Sequence, residues 1–292
     1  MIVPKKCIEC IIMIIYSIFA GRKEYLDILF VYLQHYLDNN TIDEVHLWDF
    51  CRNPADSIYI RSLQSPRIHI FNPTDYIQGL TLHEKYTPYY AYYKNNLKDD
   101  DILIKSDDDI LYVHNLDKFV NLMMNNKKYG LYFPNIVNND VAFKFQCECG
   151  IIPSNMHSLL NLESKRSLGQ PISTWFKYKK CGEEIQHFFL KNKESFVKKG
   201  VVCELNDNSR VSINVFGIHG YNAKTFFNEY LNCRGTDEPT LTSHMQFKYK
   251  HTNVFVMECI VVHYSFGPQN INSRNTLFIE YKKEAKNHAF IE

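Results

Sequence analysis

The chain has 292 residues, of which 33 are Lys or Arg and 32 Asp or Glu; 45% are hydrophobic and the formal net charge is +1. So even a balance creates no global field for nucleic acid or an anionic membrane, and no nucleic-acid partner is expected. The apolar fraction is that of a globular chain with a sizeable core.

Residues 11–20 are the most apolar stretch, too short to cross a bilayer, which takes about 20 residues. Glu9 before it, Arg22 and Lys23 after it, and the lack of a small-residue cleavage site argue against a secretory signal. It reads as a buried strand, and no transmembrane segment is expected. Nine cysteines, an odd number, fit reduced thiols and a cytoplasmic location better than a disulfide frame. Cys7-x-x-Cys10 and Cys147-x-Cys149 could together offer four zinc ligands. Their spacing favours independent thiols.

The strand over 11–20 ends at Gly21, a natural turn. Residues 23–39 then repeat Tyr25, Ile28, Leu29, Tyr32, Leu33 and Tyr36 at helical spacing. Strands are expected over 44–50 and 67–71, with a short helix over 56–63 between them. A Tyr-rich helix follows over 81–97, with Pro88 near its start. A fourth strand covers 101–105, a helix capped by Asn115 covers 116–125, and a strand covers 130–134. Further on, a helix over 182–193, a strand over 211–218, a helix over 237–246 and a last apolar strand over 254–263 are expected. The basic tail from Arg274 reads as a closing helix. No repeat or linker interrupts the chain, so residues 1–292 are read as one α/β domain with a mostly parallel sheet covered by helices. Ligands of such sheets bind at the carboxyl ends of the strands.

At one of those ends stands Ile102-Leu103-Ile104-Lys105-Ser106-Asp107-Asp108-Asp109-Ile110. Three adjacent carboxylates repel one another, and crowding them at the end of a buried strand is costly without a compensating cation. Hard oxygen ligands suit Mg2+ or Mn2+, which also take oxygens from a substrate's phosphates. A metal so placed stabilises a departing diphosphate as a Lewis acid. Asp99, Asp100 and Asp101, in the polar loop just before, read instead as a solvated turn.

Lys-x-Asp-Asp-Asp-Ile after a Ser-Ile-Phe-Ala-Gly-Arg strand-turn resembles the DXD-containing GT-A glycosyltransferases. It is most similar to the small soluble enzymes of large DNA viruses and of bacterial surface-polysaccharide synthesis. The segment from Ile42 to Asn53 is similar to their second strand. The resemblance is good over about 11–140 and rests on isolated motifs beyond. It implies a Rossmann-like GT-A domain with a nucleotide-sugar-binding half over about 1–140 and an irregular acceptor-binding half over about 141–292. It further implies a UDP- or GDP-sugar donor, Mn2+ or Mg2+, a glycan acceptor, and host cytoplasm if the source is viral.

Residue by residue, the resemblance brings Phe19, Ala20, Gly21 and Arg22 to the nucleotide, with Gly21 allowing close approach and Arg22 pairing with phosphate or simply opening a helix. Asp49 would accept from the base or serve as a turn residue. Lys85 and Tyr89 would reach the donor, although a plain surface lysine is the simpler reading of Lys85. Asp107 and Asp108 would lie near the donor, and Asp107, Asp109 and His263 on the metal. Neutral imidazole is a good manganese ligand, so His263 suits that place. Asp237, then Glu238, would act as the general base of an inverting enzyme, or would cap a helix; Glu183 and Glu184 are a weaker pair. Two other functions use the same features: a Mg-dependent nucleotidyltransferase or phosphoryl-transfer enzyme, and a non-catalytic glycan-binding module on a GT-A-like fold.

Overall fold

The computed structural model describes residues 12–77, 85–156, 179–206, 208–233 and 235–289. Strand β1 (Ile14–Ala20) is buried along its whole length, as a strand must be when helices cover both faces of its sheet. Helix α1 (Lys23–Asp38) turns Tyr25, Ile28, Leu29, Tyr32, Leu33 and Tyr36 inward, the stripe of a helix with one face on a sheet. After β2 (Glu44–Asp49), helix α2 (Pro54–Ser62) opens with Pro54 behind Asn53, whose side chain accepts from Ala55 N–H. Edge strand β3 (Ile68–Phe71) leads to α3 (Thr87–Asn96), where Pro88 sits in the first turn and removes no helical hydrogen bond. Residues 81–84 of the expected Tyr-rich helix lie outside the described residues.

The remaining elements are β4 (Ile102–Asp107), β5 (Ile110–His114), α4 (Leu116–Asn125), β6 (Tyr132–Val137), α5 (Asp140–Glu148), α6 (Lys179–Lys191), β7 (Val202–Leu205), β8 (Val215–His219) and α7 (Gly220–Asn232). They are followed by α8 (Asp237–Pro239), a π turn over Thr240–His244, α9 (Met245–Tyr249), β9 (Asn253–His263) and α10 (Thr276–Ala289). The sheet runs β3-β2-β1-β4-β8-β6-β9-β5, with β7 beside β9. Strands β1, β2, β3, β4, β6 and β9 point one way, and β5, β7 and β8 run against them. The expected α/β class with a mostly parallel, helix-covered sheet is what the chain adopts. No described helix is long and apolar enough to cross a membrane.

Several expectations need correction. Asn115 does not cap α4 with its side chain: it adopts φ 57° and its Nδ2 donates to the Glu258 carbonyl at 3.1 Å. Asp101 is buried, not solvated, because its carboxylate accepts from Met13 N–H at 3.0 Å and Lys98 N–H at 2.8 Å. Tyr89 is a core residue, edge-on to Phe19 and fully buried. Cys149 lies 3.8 Å from Cys203 Sγ, and no zinc-like group of cysteines occurs among the described residues, Cys7 and Cys10 being outside them.

Helices α5 and α7 were not expected. The start of α7 hides behind a glycine that reads as a breaker. A Cβ on Gly220 would stand 1.7 Å from the Lys98 carbonyl oxygen, so only glycine fits where this helix meets the β4 approach.

Beside that helix start, buried His219 lies edge-on to Tyr132. Burial, helped by Lys127, pushes its pKa from 6.5 down to about 4. The unfolded chain therefore binds this proton first, and the His219 contribution is complete above pH 6.5 and lost as pH falls toward 4. The full effect is about 3 kcal/mol at about 1.4 kcal/mol per unit. Urea unfolding of wild type and His219→Gln between pH 7 and 4.5 should show a shallower loss of stability in the variant; parallel curves would refute it.

Candidate active site

The sheet delivers three strand ends to one place. Strand β1 is paired with β4 so that Phe19 lies beside Asp107, and antiparallel β5 and β9 place Ile110 beside His263. Since β1, β4 and β9 point the same way, Gly21, the acidic run and His263 all emerge at the carboxyl edge. The Tyr264 N–H donates to the Asp109 carbonyl at 2.9 Å, tying the end of β9 to the acidic turn. Asn138 supports that end from β6 by donating through Nδ2 to the His263 and Tyr264 carbonyls, both at 3.2 Å.

Each of the three carboxylates has a different environment. Asp107 Oδ1 accepts from Lys105 Nζ at 2.5 Å, and this lysine is 1% exposed. Its ammonium also donates to the Ile213 carbonyl at 2.7 Å and sits 4.4 Å from the Phe19 ring centroid. Asp108 turns inward, where its Oδ2 accepts from Gly21 N–H at 3.0 Å and its carboxylate pairs with the Arg22 guanidinium. Burial pushes the Asp108 carboxyl up, to about 6, against the pull of Arg22. A Cβ on Gly21 would stand 3.3 Å from Asp108 Oδ2, so a larger residue there presses on this carboxylate. Asp109 is only partly satisfied: Oδ2 is 3.0 Å from Arg22 Nη2, while buried Oδ1 has no hydrogen-bond partner and lies 3.6 Å from His263 Nε2.

One ligand atom each from Asp107, Asp109 and His263 lies within 4.8 Å of the others. An orphaned carboxylate oxygen facing an imidazole, with a third carboxylate alongside, is a donor set that fits a divalent cation such as Mn2+.

These residues open onto a cleft of about 530 Å3. Phe19, Gly21, Arg22, Lys85, Asp107, Asp108, Asp109 and His263 line it, all of them expected from the sequence. Arg52, Asn53, Tyr86, Asn214 and the 265–271 loop join them. Tyr86 stacks on Phe19 at 4.6 Å, giving one wall a flat aromatic floor. Burial and the neighbouring Arg52 hold the Lys85 ammonium below its usual pKa, so two cations face the cleft together.

Other expected residues are not among those lining the cleft. Ala20 is enclosed within β1. Asp49 accepts from Ser57 Oγ and from Cys51 N–H at 3.2 Å, which is turn-holding geometry. Asp237 accepts from Tyr90 OH at 2.8 Å and from Glu238 N–H at 2.8 Å, and Glu238 pairs with Arg210 Nε at 2.5 Å. Burial, opposed by Arg210 and assisted by Asp237 and Asp140, pushes Glu238 up to about 7. Glu183 accepts from Asn275 at 2.9 Å, and Glu184 pairs with Lys180 at 3.3 Å.

Lys105 is the residue that sequence reasoning passed over, although a lysine inside the apolar run Ile102-Leu103-Ile104 signals itself. A buried ammonium needs a partner, and Asp107 is two residues away.

Removing Asp108 orphans the Gly21 N–H and leaves the half-exposed Arg22 with Asp109 alone, so Asp108→Ala should lose about 1–2 kcal/mol in urea unfolding. Without metal, Asp109→Asn should change stability by less than about 1 kcal/mol, because Oδ1 has no partner to lose and the amide oxygen can still accept from the half-exposed Arg22. Equal losses in the two variants would contradict this division.

No family model matches the chain, and no curated protein matches it. Among solved structures it is similar to the galactosyltransferase LgtC with donor and acceptor sugar analogues, at TM-score 0.42 and 13% identity over 95% of each chain. It is similar to GalNAc-T7 with UDP, GalNAc and Mn2+, at TM-score 0.46 and 14% identity over 88% of this chain and 44% of that one. It is also similar to 4-diphosphocytidyl-2C-methyl-D-erythritol synthase from Anaerococcus prevotii DSM 20548, at TM-score 0.40 and 11% identity over 94% and 96%. The structural neighbours are thus glycosyltransferases and nucleotidyltransferases, and at this level of similarity they assign neither substrate nor reaction to the chain.

Proposed function

We propose that this protein is a metal-dependent glycosyltransferase that moves a hexose or pentose from a nucleoside-diphosphate donor to a glycan hydroxyl. The observation that carries the reading is the buried, unpartnered Asp109 Oδ1 facing His263 at the cleft floor, with Asp107 beside it. A divalent cation held by Asp107, Asp109 and His263 supplies positive charge to the departing diphosphate. Arg52 and Lys85 line the same cleft and suit the remaining phosphate charge. Tyr86, backed by the Phe19 ring stacked on it, lines the cleft and suits stacking by a flat nucleobase. Lys105 holds Asp107 in place, and Arg22 with Asp108 holds the turn.

The chain acts in this reading as one unit, with the donor on residues up to about 140 and the acceptor on the rest. The odd cysteine count supports a reducing, cytoplasmic setting.

Neither base candidate lines the cleft, so Asp237 and Glu238 enter this reading as an acidic pair outside it; of the two, the Glu238 carboxyl, pushed up to about 7, is the better suited to proton transfer near neutrality. It acts only when ionised, so transfer rises with pH through about 7. Glu238→Gln should abolish this rise and leave metal binding intact. Unchanged pH dependence in the variant removes Glu238 from the reaction.

The reading is tested with UDP- and GDP-sugars and Mn2+, by following nucleoside diphosphate release with and without chelator. Turnover should require metal and fall at least about 100-fold in Asp109→Ala, the scale of losing a principal electrostatic stabiliser. Pyrophosphate release from a nucleoside triphosphate would instead establish a nucleotidyltransferase, and glycan binding with no donor affinity would establish a binding module.

A further inference from the structure

At the opposite end of the strands from the cleft, three metal-ligating side chains meet at the sheet edge. Glu44 and His46 are two residues apart on β2 and so share a face. Parallel pairing of β2 with β3 places His69 directly beside His46. One ligand atom from each lies within 4.8 Å of the others. Glu44 Oε2 is 2.8 Å from His46 Nε2, and Glu44 Oε1 is 3.6 Å from His69 Nε2. Ligands around a tetrahedral zinc ion at about 2 Å stand roughly 3–4 Å apart, so small side-chain movements bring all three onto one ion.

Hydrogen bonding at the inner end of the cluster orients the first imidazole. Tyr93 OH donates to Ser17 Oγ at 2.9 Å and accepts from Trp48 Nε1 at 3.3 Å. The Tyr93 oxygen also lies 2.8 Å from His46 Nδ1 and fixes that ring nitrogen by a hydrogen bond. The Nε2 of His46 in turn faces the Glu44 carboxylate at hydrogen-bond distance, 2.8 Å. A second observation is independent of the first: His69 Nε2 is shielded from solvent and has no hydrogen-bond partner. An unpaired imidazole nitrogen beside a carboxylate and a second imidazole points to a cation between these groups, and the Tyr93 hydroxyl fixes the far nitrogen of His46 as an outer partner fixes a metal-bound histidine.

We propose that Glu44, His46 and His69 bind one transition-metal ion of the Zn2+ type, which fastens the short edge strand β3 to β2. Two imidazoles and one carboxylate are a borderline-soft set that prefers Zn2+ to Mg2+.

The test uses the full chain carrying Asp109→Ala, so that the cleft does not contribute, with Zn2+ and Co2+ as probes. This background should bind one Zn2+ per chain by calorimetry, and Co2+ should give a visible d–d band. Saturation at a hundredfold excess over Kd should raise Tm by roughly 5 °C. Adding His69→Ala, at the most exposed ligand, or Glu44→Gln should remove the band and the Tm rise. Zn2+ binding that is absent in the background, or undiminished by both additions, overturns the proposal.

Discussion

Everything at the cleft follows from how the chain tolerates three successive carboxylates at the end of a buried strand. Like charges this close, removed from water, oppose folding unless cations meet them. Two of the three are met from within: Lys105 on Asp107 and Arg22 on Asp108, the latter with the Gly21 N–H. Asp109 shares Arg22 through one oxygen and leaves the other unpartnered. The acidic turn is therefore a largely compensated structure in which one carboxylate oxygen, Asp109 Oδ1, is left unpartnered, and the strand order puts His263 beside it.

This compensation gives Arg22 and Asp108 a role different from the one their positions suggest in a linear reading. Arg22, at the start of α1, looks free to reach a phosphate, yet its guanidinium is committed to the turn. The cations that line the cleft without being bound to the acidic run are Arg52 and Lys85, from the loops after β2 and before α3. These cations thus come from the connections, and the strands supply the fixed floor, a division common to α/β sheets.

Much of this was legible in the residues. The alternation of apolar runs with 3.6-residue periodicity identified β1, α1, β2, β4, α4 and β9, because long periodic segments bury one face regardless of context. The acidic run stood out because its charges sit between apolar runs, and His263 because it ends one. What escaped has physical reasons. Strand β7 has alternating exposure over only four residues, too short for a periodic signal. Helix α7 opens on a glycine demanded by the Lys98 carbonyl, a contact 122 residues away in sequence that no local pattern encodes. Asp237 and Glu238 read equally as base and as helix start, and their contacts with Tyr90 and Arg210 depend on tertiary packing.

The central claim is that Asp107, Asp109 and His263 hold a cation shared with a diphosphate. Crystals grown with Mn2+ and a nucleoside diphosphate, with anomalous data at the manganese edge, test it most directly. The account predicts one strong peak within coordination distance of Asp109 and His263, with diphosphate oxygens completing the shell. Diphosphate bound in the cleft with no peak there, or a peak elsewhere, would contradict it.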